Sequence, residues 1–246
     1  MIMRIESIYN PRIKMIRSLR SAKGRKKEKR FVVEGSKMVE EALRDCPEAV
    51  EAVFTTEKVQ IAAGIQQILV TESVFSHMST QTAPQGVLAI LNPVRIPHTK
   101  RGHTLLLDGV ADPGNMGTLL RTAEAFDFSV WITPDCADPL NPKAVQASMG
   151  AILRHRPQVL SLQDLQDLAQ THFFAGASLE GDWTPDPWPE QTVLVLGSEA
   201  HGIRKEVDAL LHTHLRIPMA GQTESLNVGV AGGILMFTAF QRKWGR

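Results

Sequence analysis

The sequence predicts an α/β protein whose carboxyl-terminal part is a parallel sheet with helices on its faces. Three segments carry the prediction: TLLLDGVADPGNMGTLLRTAEAF from Thr104, VLVLGSEAHGI from Val193 and LRIPMAGQTESLNVGVAGGILMF from Leu215. In each, an apolar run of strand length breaks into a polar or Gly-rich turn and then takes up helical periodicity. Turns of this kind fall at the carboxyl ends of strands, where open α/β sheets bind ligands. A further observation predicts a smaller α/β domain ahead of the sheet, because residues 31–91 alternate short apolar runs with amphipathic stretches.

Taken in order, the chain begins with a basic arm, residues 1–30. It holds eleven Lys or Arg against two Glu in a protein whose formal net charge is only +1. The side chains of Arg12, Lys14, Lys23, Arg25, Lys26, Lys27, Lys29 and Arg30 are candidate phosphate ligands, since dense positive charge releases counterions from nucleic acid. A solvated terminus is the competing reading. Salt-dependent binding that disappears on removing the arm separates the two.

Residues 31–91 then read as RFVVEG (strand), SKMVEEALRD (helix), VEAVFTT (strand), a second helical stretch, QQILVTE (strand), a third helix and QGVLAIL (strand). Asn92 to His103, with two prolines, several basic residues and no apolar period, reads as a linker. The larger domain spans residues 104–246. Its strand candidates are LLLDGV, Val130 to Ile132, Val193 to Leu196 and Leu215 to Met219. Its helices are expected at Thr118 to Phe126, Pro142 to Ile152, Leu162 to Thr171, Arg204 to Leu211 and Leu226 to Lys243. Residues 178–191, rich in proline, read as a surface loop.

Composition narrows the function classes. A chain of 246 residues, 43% of them hydrophobic, can bury a sizeable core without covalent staples. Cys46 and Cys136 belong to no CxxC or Cys/His cluster, so neither a disulfide framework nor a zinc site is expected. No apolar stretch reaches the roughly 18 residues a membrane helix needs, and no signal-peptide pattern opens the sequence. A cytoplasmic protein without metal is the expectation. There is no GxxxxGK[ST] phosphate loop and no GxGxxG after a strand, which argues against a nucleotide-binding enzyme of another kind.

The three turns supply the candidate chemistry. The first offers Asn115 as a dipolar side chain, Gly114 and Gly117 as permissive backbone, and Arg121 one helical turn further on. A permanently charged, rigid donor fork suits a phosphate or a developing oxyanion; an ion pair with Glu124 is the structural alternative. The second turn sets Glu199 between Gly197 and Gly202. In the third, Ser225 is a candidate N-cap before Leu226, with an amide at Asn227.

These residues resemble the SpoU branch of the SPOUT superfamily, S-adenosylmethionine-dependent RNA ribose 2′-O-methyltransferases. NMGTLLRTA (Asn115 to Ala123) is similar to the first family motif, LGSEAHGI (Leu196 to Ile203) to the second and IPMAGQTESLNVGVA (Ile217 to Ala231) to the third. Residues 31–91 resemble the small RNA-binding domain, related to a ribosomal-protein fold, that precedes the catalytic domain in many members. The resemblance implies a trefoil knot in the carboxyl-terminal domain, which periodicity cannot reveal. It implies a bent cofactor held by backbone at Gly197, Ile217 and Leu226, with Leu196, Met219 and Ser225 adjoining. It also implies a homodimer in which Arg121 acts near the partner's cofactor.

The implied reaction is an in-line transfer of the sulfonium methyl group to a ribose 2′-hydroxyl, without metal. The family's arginine is often assigned as general base, yet a guanidinium with a pKa above about 12 rarely loses its proton. Arg121 is better read as holding the hydroxyl or its phosphate and stabilising developing negative charge, with Asn115, Glu199 and Asn227 orienting the reacting groups. Large-subunit (23S) ribosomal RNA is the preferred substrate, given the accessory domain and basic arm. Transfer RNA, or a non-catalytic RNA-binding role, is the alternative. Elsewhere His212 and His214 form an HxH pair without a third ligand, and His201 lies in the second motif. Trp131, Trp183, Trp188, Trp244 and Tyr9 are packing or stacking candidates.

Overall fold

A computed structural model describes residues 3–59, 67–99, 101–182 and 188–244, without the side chains of 182 and 242–244. The chain divides into two compact units, one of residues 1–97 and 140–154 and the other of residues 98–139 and 155–246. The helical stretch expected just before QQILVTE, as well as Trp183 and the side chain of Trp244, lie outside what is described.

The first unit contains β1 (Met3–Ile5), α1 (Pro11–Ser18), α2 (Ala22–Glu28), β2 (Phe31–Glu34), α3 (Ser36–Asp45), β3 (Val50–Thr55), β4 (Gln67–Val70), α4 (Glu72–Met78) and β5 (Val87–Leu91). Its sheet runs β1-β4-β3-β5-β2, with parallel pairs β1/β4 and β3/β4 and antiparallel pairs β3/β5 and β2/β5. Residues 3–28, read from sequence as a basic arm, therefore fold as a strand and two helices. Asn10 caps α1 through the Arg12 amide, and Pro11 fits the first helical turn. Ile13 and Ile16 then turn into a core shared with Ile5, Phe54, Val74, Phe75 and Leu88. The α1–α2 corner is so close that a Cβ on Gly24 would lie 1.9 Å from the Ser18 carbonyl oxygen.

The second unit begins with β6 (His103–Asp108), α5 (Pro113–Ala125) and β7 (Phe128–Ile132). Two short helices follow, α6 (Pro142–Ala147) and α7 (Ala151–Arg154). They belong to the first unit, where Arg154 pairs with Glu41 and Asp45. The single helix expected from Pro142 to Ile152 is split because Met149 and Gly150 take left-handed backbone conformations (φ 47° and 88°). The second unit resumes with β8 (Gln158–Val159), α8 (Leu162–Leu168), β9 (Phe173–Asp182), β10 (Thr192–Gly197), α9 (Lys205–Asp208), β11 (Thr213–Leu215) and α10 (Val228–Trp244).

Its six strands are ordered β11-β9-β10-β6-β7-β8, and every pair is parallel. The central strands β6 and β10 are covered on both faces, which explains their uninterrupted apolar runs. On one face Leu106, Val193 and Val195 meet Leu165, Phe174 and Val207. On the other, α5 and α10 pack together over Leu196, where Gly232 of α10 approaches Leu119 and Leu196. Strand β9 corrects the expected surface loop as far as residue 182. The expected strand from Leu215 to Met219 is likewise shorter, pairing β9 only through Leu215.

Candidate active site

The parallel register brings the carboxyl ends of β6 and β10 side by side, Leu107 opposite Leu196 and Asp108 opposite Gly197. Past β6, Gly109 has φ 71°, and a Cβ built there would be 3.8 Å from that of Ser198. Past β10, Ser198 and Gly202 exchange backbone hydrogen bonds of 3.0 and 2.9 Å, closing a tight turn that exposes Glu199. Gly197 cannot carry a side chain, since its Cβ would fall 2.0 Å from the Gly202 carbonyl carbon. Gly202 is needed for a different reason, its left-handed φ of 68°.

Helix α5 starts earlier than the periodicity suggests. Asp112 accepts the Asn115 amide at 2.9 Å as its N-cap and Pro113 opens the first turn. Asn115, Gly114 and Gly117 therefore lie in the helix and not in a loop. From that first turn the Asn115 side-chain amide donates to Glu199 at 2.7 Å, and its carbonyl accepts from Asn227 at 3.1 Å. Asn227 in turn accepts the Gly229 amide at 2.9 Å, so it, and not the exposed Ser225, caps α10. Three residues from three motifs thus form one hydrogen-bonded chain, Glu199–Asn115–Asn227.

Arg121 stands apart from this chain. It is the ninth residue of α5, about 12 Å along the axis from the helix start, and not one turn from the loop. Its side chain is exposed and has no ion pair or hydrogen bond among the described residues, Glu124 included. Residues 217–226 also make no hydrogen bond to other described residues, so their backbone donors and acceptors are free. Ile217, Met219 and Leu226 are half-buried beside that free backbone, and Leu196 is buried at the neighbouring strand end. A zwitterionic ligand with an adenine ring and a methionine tail fits such a set, which joins unsatisfied amides and carbonyls to apolar side chains.

Asp108, Arg204 and Asp135 were missed by sequence reasoning. Asp108 is fully buried at the end of β6 and accepts the Arg204 backbone amide at 2.8 Å and its Nε at 2.7 Å. The same guanidinium reaches Asp135 at 2.7 Å, so the turn after β10 is tied to the loops after β6 and β7. The one sequence signal was a carboxylate closing an otherwise apolar strand.

The candidate RNA ligands divide. Arg12, Lys14, Lys23, Lys26, Lys27 and Lys29 are exposed. Arg25 is 5% exposed and donates to the Leu19 and Arg20 carbonyls, so it stabilises the α1–α2 corner and is withdrawn as a phosphate ligand. Arg30 is engaged by Glu51 and the Glu28 carbonyl. His212 and His214 take separate partners, the Phe174 amide and Asp208. No group of three or more potential metal ligands occurs among the described residues, and none of the described helices is long and apolar enough to cross a membrane.

Residues 10–89 match the MRM3-like substrate binding domain. The 23S rRNA (guanosine(2553)-2′-O)-methyltransferase RlmP of Bacillus subtilis is 31% identical over 95% of this chain and 97% of its own. A structure from Porphyromonas gingivalis assigned to the TrmH family has 39% identity and a TM-score of 0.84, covering 96% of this chain and 99% of that one. The AdoMet-bound rRNA methyltransferase of Sinorhizobium meliloti superposes with a TM-score of 0.84 at 28% identity, over 98% of both chains. Residues 102–237, which hold all three linked motifs, match the SpoU rRNA Methylase family, and the chain belongs to that family.

Proposed function

We propose that this protein methylates a ribose 2′-hydroxyl of 23S ribosomal RNA, using S-adenosylmethionine, as a cytoplasmic homodimer with a knotted catalytic domain. The observation that carries the reading is the Glu199–Asn115–Asn227 chain beside the free backbone of residues 217–226. When bound, S-adenosylmethionine supplies an electrophilic sulfonium methyl group. Gly197, Ile217 and Leu226 hold it through backbone groups, with Leu196, Met219 and Ser225 adjoining. Asn115, fixed at both ends of its amide, orients the reacting groups with Glu199 and Asn227. Residues 10–89 and the exposed lysines of α1 and α2 hold the RNA, in keeping with the substrate-binding domain matched there.

Arg121 completes the site of the other copy. Its exposure on α5, away from its own chain's motif cluster, supports action across a dimer, as do the exposed Val230 (52%) and Phe237 (46%) on the neighbouring α10. There it holds the 2′-hydroxyl or adjacent phosphate with its planar fork and stabilises charge as the proton leaves.

Complementation tests the arrangement. Arg121→Ala and Asn115→Ala are each expected to abolish methylation of large-subunit rRNA, while unfolding and re-assembling an equal mixture recovers about a quarter of wild-type activity, because half the dimers then own one intact site. No recovery means that Arg121 serves its own chain's site. Mass-spectrometric mapping of RNA from cells with and without the protein tests the substrate: one 2′-O-methyl mark missing from 23S rRNA is expected, and loss from tRNA instead overturns the rRNA assignment.

A further inference from the structure

At the amino-terminal end of the second unit's sheet, away from the motif loops, lies a cavity of about 530 Å³. Thr104 near the start of β6, Ser129 of β7 and Gln191 just before β10 help to line it, together with His98, Arg101, His155 and Arg156. Among the described residues lining it there is no carboxylate.

The basic groups are tethered by other side chains and backbone. Arg156 donates to His98 Nε2, while His98 Nδ1 donates back to the Arg156 carbonyl at 2.9 Å, fixing one guanidinium in place. Arg101 is tethered at Nη1 to Asp127 at 2.9 Å. In both arginines the Nε–H is buried and lacks a protein acceptor. His155 is 3% exposed, and its Nε2 accepts the Val130 amide at 2.9 Å, which leaves the ring proton on Nδ1. That Nδ1–H is also buried without an acceptor. Three such donors around one cavity require an explanation, since buried N–H groups are otherwise almost always paired. An anion with several acceptor oxygens seated in the cavity offers such donors acceptors once the side chains turn towards it.

With Arg101 balanced by Asp127, Arg156 gives the described lining a positive charge, which matches a phosphodiester. We propose that this cavity is a second RNA contact that seats one backbone phosphate of the substrate, remote from the methyl-transfer loops. The assignment rests on the RNA methyltransferase reading above.

The test uses the full chain, an in vitro transcribed large-subunit rRNA and, separately, inorganic phosphate. Arg156→Gln removes a donor, and Gln158→Glu sets a negative charge on an exposed edge position of the lining. Both variants should weaken rRNA binding about three- to tenfold at 0.1 M salt and lower the slope of log K against log salt by about one. S-adenosylmethionine binding by calorimetry should stay unchanged. Unaltered affinity and slope in both variants, with cofactor binding intact, overturn the assignment. So does weaker binding of inorganic phosphate with rRNA binding unaffected, which assigns the cavity to a free anion. A wild-type protein that binds no rRNA overturns this assignment and the functional reading together.

Discussion

Gly197 and Arg204 each hold the turn after β10 in a way that no neighbouring residue duplicates. A methyl group on Gly197 meets the Gly202 and Ile203 backbone at 2.0–2.4 Å, and backbone cannot rotate aside as a side chain does. Gly197→Ala should therefore open the Ser198–Gly202 turn and lower S-adenosylmethionine affinity at least tenfold, measured by calorimetry, while the protein stays folded by circular dichroism. Arg204 acts through charge. Its partner Asp108 is 0% exposed, so Arg204→Ala strands a carboxylate in the interior. Breaking a buried pair from one side costs about 3 kcal/mol, and urea unfolding should register that loss. Asp108→Asn combined with Arg204→Ala should be milder than Arg204→Ala alone, because the neutral amide no longer needs a cation.

Helix α10 shows how the same residue type is constrained differently along one element. A Cβ at Gly232 would lie 2.6 Å from Leu119 Cδ2 and 2.7 Å from Leu196 Cδ1, the movable ends of leucine side chains, whereas at Gly233 the first neighbour, Thr122 Cγ2, is 3.8 Å away. Alanine in a helix is favoured over glycine by about 1 kcal/mol. Gly233→Ala should thus raise the thermal midpoint by a few degrees, and Gly232→Ala should gain nothing, its helix propensity offset by leucine repacking. Of the two, Gly232 serves close packing against α5 and β10. What the sequence makes legible follows the same logic. Strands β6 and β10 are readable because burial on both faces demands unbroken apolar runs. Strand β9 is hidden by Gly176, which is there because a Cβ would meet Leu211 at 2.3 Å and Ile203 at 2.8 Å. The first two helices are hidden by charge: Ile13, Ile16 and Leu19 keep the buried spacing, but lysines and arginines surround them. Among the site residues, the motif amides and Glu199 are visible as a combination. The Asp108–Arg204 pair joins positions 96 apart that only strand pairing brings together.

At the scale of the whole molecule, the buried His155 links stability to pH. Burial holds its ring neutral and pushes its pKa down to about 4; the charge of Arg101 acts in the same direction and Glu124 opposes it. In the unfolded chain the same ring titrates near 6.5. Above that pH neither state takes up the proton and the contribution to stability is complete. As pH falls from about 6.5 to about 4 only the unfolded chain binds the proton, so stability declines through that window, by about 3 kcal/mol in total and about 2 kcal/mol by pH 5. Asp45 responds lower on the scale, because Arg44 and then Arg154 hold its carboxyl below the ordinary carboxylate range and its contribution is lost only as pH falls through that depressed value. The two effects are therefore separable. Urea unfolding at pH 7.5 and pH 5.0 should show the loss in the wild-type protein and a markedly smaller one in His155→Gln, whose amide oxygen can still accept from Val130 but takes up no proton; equal losses in both would assign the acid sensitivity to another group.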